Sequence, residues 1–148
     1  MYKHILIATD GSELAARGVE HGLAIAGPLG AEVTVLTVIE PLDPRTYADA
    51  AAAGVRDPAV RYDQSIDSEM NARFAGIRER AESAGVAVNL MHEIDEAPAE
   101  AIVRTATLRH CDLIVMSSHG RRGARKLILG SQTAEVLAHT TVPVLVIR

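Results

Sequence analysis

Short apolar runs alternate with longer amphipathic stretches along this chain. The runs are continuous and rich in β-branched residues, which is typical of strands covered on both faces of a parallel sheet. They are Ile5–Ala8, Val33–Ile39, Val86–Met91, Leu113–Met116 and Val142–Ile147. Apolar positions with helical spacing lie between them, at about Ser12–Leu29, Ser65–Ser83, Ala97–Leu108 and Ser131–His139. This alternation predicts right-handed βαβ units in a single doubly wound, open parallel α/β sheet with helices on both faces.

Two glycines, Gly18 and Gly22, lie in the first predicted helix. Glycine costs a helix up to about 1 kcal/mol relative to alanine, so we interpret the pair as a place where the helix packs closely on the sheet. Gly27, Gly30 and Gly85 lie where helices should end, and glycine is typical of such ends.

The segment Glu40–Val60 shows neither pattern. It contains Pro41, Pro44 and Pro58, with Gly54 after a run of alanines. We therefore expect a long connection with at most one loose helical turn. Connections longer than about 12–15 residues are unusual in compact domains and often act as lids. This one either closes over a pocket or has no role in binding.

The composition fits one globular domain of 148 residues, 1–148. Apolar residues make up 48% of the chain and charged residues 23%, which excludes a disordered protein. A formal net charge of -4 and only 3% aromatic residues argue against nucleic-acid binding, because that needs a basic surface or stacking aromatics.

The cysteine usage and the apolar runs bear on the compartment. Cys111 is the only cysteine, so an intramolecular disulfide and a cysteine zinc site are excluded, and we expect Cys111 to be an inert buried residue. No apolar run approaches the roughly 18 residues of a membrane span, and the first residues do not resemble a signal peptide. We expect a reduced, cytoplasmic protein without a membrane partner.

Polar and glycine-rich segments follow two of the predicted strands. In parallel α/β sheets, ligands bind beyond the carboxyl ends of the strands, near the point where the strand order reverses. The first strand leads into Ala8–Ser12, the fourth leads into Met116–Gly123, and Gly130–Gln132 opens the last helix. These are the segments in which a ligand site is expected.

The segments around the fourth strand and the last helix have the parts of an anion site. Gly120 and Gly123 allow backbone N–H groups to approach a ligand without an intervening Cβ. Gly130 and Ser131 open a helix whose first N–H groups lack helical partners and whose dipole favours negative charge. Asp10 would contact phosphates through Mg²⁺, or ribose hydroxyls directly. Cations lie nearby in sequence at Arg121, Arg122, Arg125 and Lys126.

Each of these features also has a structural explanation. Asp10-Gly11-Ser12 suits a strand-to-helix turn with a cap, Gly130-Ser131 suits a cap alone, and the basic residues suit a solvated face. Only their joint occurrence at two strand ends favours a binding site. Of the six histidines, only His119 lies at the end of a predicted strand. Its side chain would either support the loop or contact the ligand.

Several standard motifs are missing. The chain has no P-loop, no dinucleotide-binding G-x-G-x-x-G, no G-x-S-x-G elbow and no H-E-x-x-H. The sequence therefore supports neither a P-loop NTPase, nor a serine hydrolase, nor a zinc protease.

The chain resembles the universal stress protein family along its whole length. The resemblance is carried by His4–Ser12, by Ser117–Gly120, by Gly130-Ser131 after nine intervening residues, and by Val142–Val146. It implies a Rossmann-like, adenine nucleotide alpha hydrolase-like sheet of five parallel strands in the order 3-2-1-4-5. It also implies a stress-response role, homodimers and, in one branch of the family, bound ATP.

The nucleotide-binding branch carries the pattern G-x-x-G, nine residues, then G followed by Ser or Thr. Gly120, Gly130 and Ser131 match this pattern, whereas its first glycine falls on Ser117. If nucleotide binding requires positive φ at position 117, or backbone there without a Cβ, the serine would weaken binding. If binding requires only a main-chain contact at that position, serine would serve as well as glycine. The chain otherwise looks more like the ATP-binding branch than like the branch without these glycines.

The same resemblance implies the roles of further residues. Thr9 and Asp10 would approach the ribose and the phosphates. Val38 would hold adenine through its main chain, and Gln132 would offer a backbone N–H to phosphate. Ala8 stands where some relatives have proline. The predicted nucleotide site comprises Ala8, Thr9, Asp10, Val38, Met116, Ser117, His119, Gly120, Arg121, Gly123, Gly130, Ser131 and Gln132, with Asp10 also the candidate Mg²⁺ ligand through the phosphates.

The resulting hypothesis is a dimeric stress-response protein that binds ATP, with ADP and AMP left open. A slow ATPase is the enzymatic alternative, because cations are present but no residue is an evident choice to orient water. A dimeric interaction protein without nucleotide is the third, if Ser117 spoils the site. A phosphoacceptor receiver domain fits less well, because an acidic pair around Asp10 and a lysine after the fifth strand are missing.

The last predicted strand, Val142–Ile147, is long and apolar for a sheet edge. Unpaired edges of this kind invite association. We expect antiparallel pairing with its copy in a twofold homodimer, provided that Pro143 turns its missing N–H away from the partner.

Overall fold

The computed structural model describes residues 1–120 and 128–148. All five predicted strands and all four predicted helices are present, and one further helix lies between them. In chain order the elements are β1 His4–Ala8, α1 Glu13–Leu29, β2 Glu32–Ile39, α2 Pro44–Ala52, α3 Pro58–Ser83, β3 Val88–Ile94, α4 Pro98–Leu108, β4 Leu113–Ser117, α5 Ser131–His139 and β5 Val144–Ile147.

The strands form one parallel sheet in the order β3-β2-β1-β4-β5, which confirms the predicted topology. β1 is central: Ile5 lies in register with Val33 of β2 on one side and with Leu113 of β4 on the other. The chain builds outward from β1 to β3 and then crosses back to β4. The strand order therefore reverses between β1 and β4, and their carboxyl ends border the crevice in which such folds bind ligands.

The hydrophobic core has one layer on each face of the sheet. Side chains alternate between the faces along a strand. Ile5 and Ile7 pack with α1 and α3, whereas Leu6 packs with α4 and α5, and all three side chains are fully buried. None of the helices within the described ranges combines the length and apolarity that crossing a bilayer requires.

Residues 41–60 differ from the predicted irregular connection, and that prediction was wrong. α2 occupies most of the segment, and α3 begins at Pro58 rather than at Ser65. Asp43 accepts a hydrogen bond from the Arg45 N–H at 2.8 Å and caps α2. Pro44 and Pro58 occupy the first helical positions, where proline is favourable because that N–H has no helical acceptor.

The glycines of α1 behave differently from one another. A Cβ on Gly22 would overlap the side chain of Ile7, whereas a Cβ on Gly18 would meet none of the described residues within 4 Å. The predicted close approach to the sheet is thus confirmed at Gly22, whereas at Gly18, which is buried, the described residues show no such approach. Gly30 ends α1 with a φ of 61°, and Gly27 lies inside the helix, so its predicted capping role was also wrong.

Two strands have bounds that the apolar pattern did not indicate. β3 extends past Met91 to Ile94, because it is an edge strand and tolerates the polar His92 and Glu93. β5 begins at Val144 rather than at Val142. The carbonyl of Pro143 still accepts a hydrogen bond from Ile114 N at 2.9 Å, so the proline borders the strand without joining it.

Candidate functional site

A cavity of about 620 Å³ opens at the carboxyl edge of the sheet. Its walls come from the ends of β1, β2 and β4, from the start of α5 and from one face of α3. It lies at the reversal of strand order, and its volume falls in the range of small-molecule and cofactor pockets.

Some of the predicted site residues line this cavity, and others are buried in the sheet beside it. Ala8, Met116 and Ser117 are buried in the sheet, and Thr9 is buried against a smaller neighbouring cavity. The predicted Arg121 and Gly123 lie outside the described residues, as do Arg122, Arg125 and Lys126. The cavity itself is lined by Asp10, Val38, His119, Gly120, Gly130, Ser131 and Gln132.

Asp10 lies where the ends of β1 and β4 meet. One carboxylate oxygen, Oδ1, accepts from the Ser12 N–H at 2.9 Å. The hydroxyl of Ser12 in turn accepts from Ala15 N at 3.1 Å and caps α1. A Cβ on Gly120 would lie 2.6 Å from the other oxygen of Asp10, Oδ2. Asp10 therefore supports the turn through one oxygen while lining the cavity, and it requires glycine at position 120.

The start of α5 supplies main-chain donors to the cavity. Gly130 donates its N–H to the Ser118 carbonyl at 2.7 Å, and a Cβ on Gly130 would lie 3.0 Å from that oxygen. No side chain of the described residues caps α5, so the N–H groups of its first turn and the positive end of its dipole are available to an anion. The Gln132 side chain accepts from Ala99 N at 3.1 Å, which leaves its main chain for a ligand.

Ser117 fits its position without strain. Among the described non-glycine residues, only Asp57 and His110 have positive φ, so Ser117 needs none of glycine's conformational freedom. Its hydroxyl donates to the His119 carbonyl at 2.9 Å, and its own carbonyl accepts from Thr133 Oγ1 at 2.9 Å. The serine thus joins the end of β4 to the following turn and to α5.

His119 supports the loop, which is one of the two roles that the sequence left open. Its Nδ1 lies 3.1 Å from the Ser118 hydroxyl, a contact that holds the ring to the loop. The residue also lines the cavity.

One face of α3 forms a wall of the cavity that the sequence analysis missed. The lining residues are Tyr62, Ser65, Ile66, Glu69, Met70 and Arg73. Their spacing of three and four residues places them on one side of a helix. That periodicity was the available signal, but the helix was predicted to start only at Ser65, and only segments that follow strands or open the last helix were considered for the site.

Tyr62 connects this wall to the end of β2. Its hydroxyl donates to the Glu40 carbonyl at 3.2 Å, and its ring contacts Tyr47 of α2 edge-on at a centroid distance of 6.2 Å. Burial, followed by the nearby Tyr47, raises the pKa of Tyr62. Tyr62 therefore remains a neutral hydrogen-bond donor at physiological pH. Residues 41–60 themselves contribute none of the described lining.

One buried hydroxyl beside the cavity lacks a partner within the described ranges. Thr37 is 2% exposed, lines the cavity, and its Oγ1 makes no hydrogen bond there. Buried polar atoms without a partner are uncommon and are often completed by a ligand or an ordered water.

Comparison with known proteins identifies relatives along the whole chain. The model of the universal stress protein family matches residues 1–148. A universal stress protein of Thermus aquaticus is 32% identical over 148 residues, covering 100% of both chains. The structure of MJ0577, a universal stress protein of Methanocaldococcus jannaschii, superposes with a TM-score of 0.82 at 29% identity, covering 99% of this chain and 96% of that one.

Two further structures of similar fold contain nucleotides. A universal stress protein in complex with cAMP has a TM-score of 0.72 at 24% identity, covering 99% of this chain and 97% of that one. The universal stress protein of Archaeoglobus fulgidus in complex with dAMP has a TM-score of 0.66 at 19% identity, covering 99% of this chain and 98% of that one.

Proposed function

The chain belongs to the universal stress protein family, and we propose that its cavity binds an adenine nucleotide as part of a stress-response function. ATP is the first candidate, with ADP and AMP as alternatives. The observation that carries the proposal is the convergence of Asp10, Val38, Gly120 and the first turn of α5 on one cavity of about 620 Å³. These groups come from four separate places in the chain.

The cavity has an end suited to phosphates and an end suited to a base. Gly120 and Gly130 bring main chain close to the ligand, and the start of α5, which no described side chain caps, favours negative charge. At the end of β2, Val38 offers apolar contact and main-chain hydrogen bonds to adenine.

Asp10 is the residue that fits a bound magnesium ion. Within the described residues, no group of three His, Cys, Asp or Glu side chains is arranged to hold a metal. Mg²⁺ is commonly bound by one or two carboxylates together with substrate phosphates and water. We therefore propose that Asp10 contacts Mg²⁺ that arrives with the nucleotide.

The complexes with cAMP and dAMP support the proposal at the level of the fold. Those two proteins share this architecture at 24% and 19% identity, so the argument for a ligand rests on this chain's own cavity. The choice among adenine nucleotides, and between binding and slow hydrolysis, is left to experiment.

The test is the nucleotide content and affinity of the purified protein. Denatured protein is analysed by mass spectrometry, and ATP, ADP, AMP and GTP are titrated calorimetrically with Mg²⁺. We expect retained adenine nucleotide or a dissociation constant of about 1 μM, corresponding to about -8 kcal/mol. Absence of both would refute the proposal and favour an interaction protein without nucleotide. Release of phosphate during the titration would favour the slow ATPase.

We also propose a homodimer formed through residues 142–147. β5 is an edge of the sheet, and its residues Val144, Leu145 and Val146 are only half-buried. Antiparallel pairing with a second copy would cover them. Light scattering at micromolar concentration should give the mass of a dimer, and a monomer there would contradict the pairing.

A further inference from the structure

Arg73 of α3 lies against the turn that carries Asp10. A Cβ on Gly11 would lie 2.5 Å from Cζ of the Arg73 guanidinium, and Gly11 has a φ of +76°. Glycine at position 11 is thus favoured by its conformation, and the guanidinium occupies the space that a side chain there would take. Asp10 directly precedes Gly11 in the chain, and Oδ2 of Asp10 lies next to Gly120. Arg73 is therefore at the proposed phosphate end of the cavity.

Arg73 is also the arginine that the described residues contribute to the lining of this cavity. Carboxylates of Asp10, Glu40 and Glu69 line the same space. A polyphosphate brought to the start of α5 would add several negative charges to this space. A guanidinium can offset them, because it presents five N–H donors in a fork that matches phosphate oxygens.

The present partner of Arg73 is easily exchanged. Its Nη2 donates to Glu69 Oε1, one helical turn earlier. The Arg73 side chain is 18% exposed, whereas that of Glu69 is 57% exposed. An ion pair with one well-solvated member contributes little stability, and Glu69 can return to water when Arg73 leaves it.

We propose that Arg73 binds the phosphate groups of the nucleotide directly, changing its partner from Glu69 to phosphate when the ligand enters. This inference rests on the proposed nucleotide-binding function. It assigns α3 a part in recognition that the glycine pattern of the sequence does not include. The plain alternative is a solvated ion pair along a helix, which would give Arg73 no preference for ligands with more phosphates.

The test measures affinity as a function of phosphate number. Adenosine, AMP, ADP and ATP are titrated into the wild type, Arg73→Gln, Arg73→Lys and Glu69→Gln at fixed ionic strength. Arg80→Gln is the matched control, because Arg80 lies two turns further along α3 and lines only the smaller cavity of about 150 Å³. Circular dichroism confirms that each variant is folded.

We expect Arg73→Gln to weaken ATP binding roughly tenfold to a hundredfold, the usual effect of one charge-assisted hydrogen bond, and to change adenosine binding less than about twofold. Arg73→Lys should be intermediate, since it keeps the charge but loses the fork. Glu69→Gln should strengthen ATP binding about twofold to threefold, because a competing carboxylate is removed.

Two results would overturn the inference while leaving the proposed function intact. One is unchanged ATP affinity in Arg73→Gln. The other is an equal loss for adenosine and ATP, which would indicate packing of α3 rather than phosphate contact. A wild type that binds none of the four ligands would instead refute the proposed function, and this inference with it.

Discussion

The replacement of Gly120 by alanine tests the geometry of the site most directly. The added Cβ would lie 2.6 Å from Asp10 Oδ2, about 0.8 Å short of an ordinary contact at 3.4 Å. The neighbour is the carboxylate of a short side chain, and its other oxygen is held by the Ser12 N–H at 2.9 Å. The carboxylate cannot move this far without bending or losing that hydrogen bond.

The expected effects on stability and on binding differ in size. Loss of one hydrogen bond in the turn costs about 1 kcal/mol, which lowers the melting temperature by about 2–4 °C in a domain of this size. Displacement of Asp10, together with a methyl group facing the cavity, should remove one charge-assisted contact with the ligand. Such a contact contributes about 1.5–3 kcal/mol, so ATP affinity should fall roughly tenfold to a hundredfold.

The assay is calorimetric titration of Mg-ATP, with thermal unfolding of the same samples. Gly76→Ala is the control, because it makes the same chemical change in α3, where a Cβ would meet none of the described residues within 4 Å. Folded Gly120→Ala protein that binds ATP as tightly as the wild type would refute the role assigned to the approach of Asp10 and Gly120.

Three further predictions concern the fold. Gly22→Ala should lower the melting temperature by about 2–12 °C, because the Cβ overlaps Ile7 and overpacking costs about 1–3 kcal/mol; Gly18→Ala, one turn away, where a Cβ meets none of the described residues within 4 Å, should raise it through helix propensity, and equal shifts would contradict this packing. Burial raises the pKa of the Cys111 thiol to about 11, so the thiol should react with Ellman's reagent at pH 8 far more slowly in native than in unfolded protein. As the pH rises, the thiol ionises in the unfolded protein before it ionises in the folded protein. The contribution of Cys111 to the free energy of unfolding should therefore be full below about pH 9 and be lost towards pH 11. Urea titrations of Cys111→Ala should show no such dependence on pH. The Ala97 N–H, and then Arg104, hold the pKa of Asp95 below its ordinary value, so Asp95 should stabilise the fold above about pH 4 and lose this effect in acid; an unchanged acid transition in Asp95→Asn would disprove it.

The sheet could be predicted from the sequence because its strands are covered on both faces. Continuous apolar runs such as Val33–Ile39 have few other stable environments, and their alternation with helices predicts a doubly wound parallel sheet. The order of its strands was implied by the resemblance to the family and not by the apolar pattern. α2 could not be predicted in this way, since it has no buried residue and therefore no apolar stripe. Its start depends on the Asp43 cap and on Pro44, a proline that we interpreted as a breaker.

A similar physical difference separates the site residues that the sequence predicted from those that it did not. Residues that follow strands, such as Asp10 and Gly120, could be proposed because the carboxyl ends of parallel strands share one edge. The wall formed by α3 could not, because Ile66 and Met70 belong to the core and line the cavity at once. Periodicity identifies the buried face of a helix, but it does not show where along that face the packing gives way to a cavity.

The glycine pattern can now be separated into positions with different physical requirements. Gly120 leaves space for the carboxylate of Asp10, and Gly130 leaves space for the carbonyl of Ser118. The backbone at position 117 does not require glycine, because Ser117 lies in β4 and its hydroxyl donates a hydrogen bond to the His119 carbonyl. Two close approaches, rather than three, are therefore seen at the proposed phosphate end of this cavity. Ser117 needs no glycine for its own backbone conformation, and the proposed nucleotide site depends on the glycines at 120 and 130.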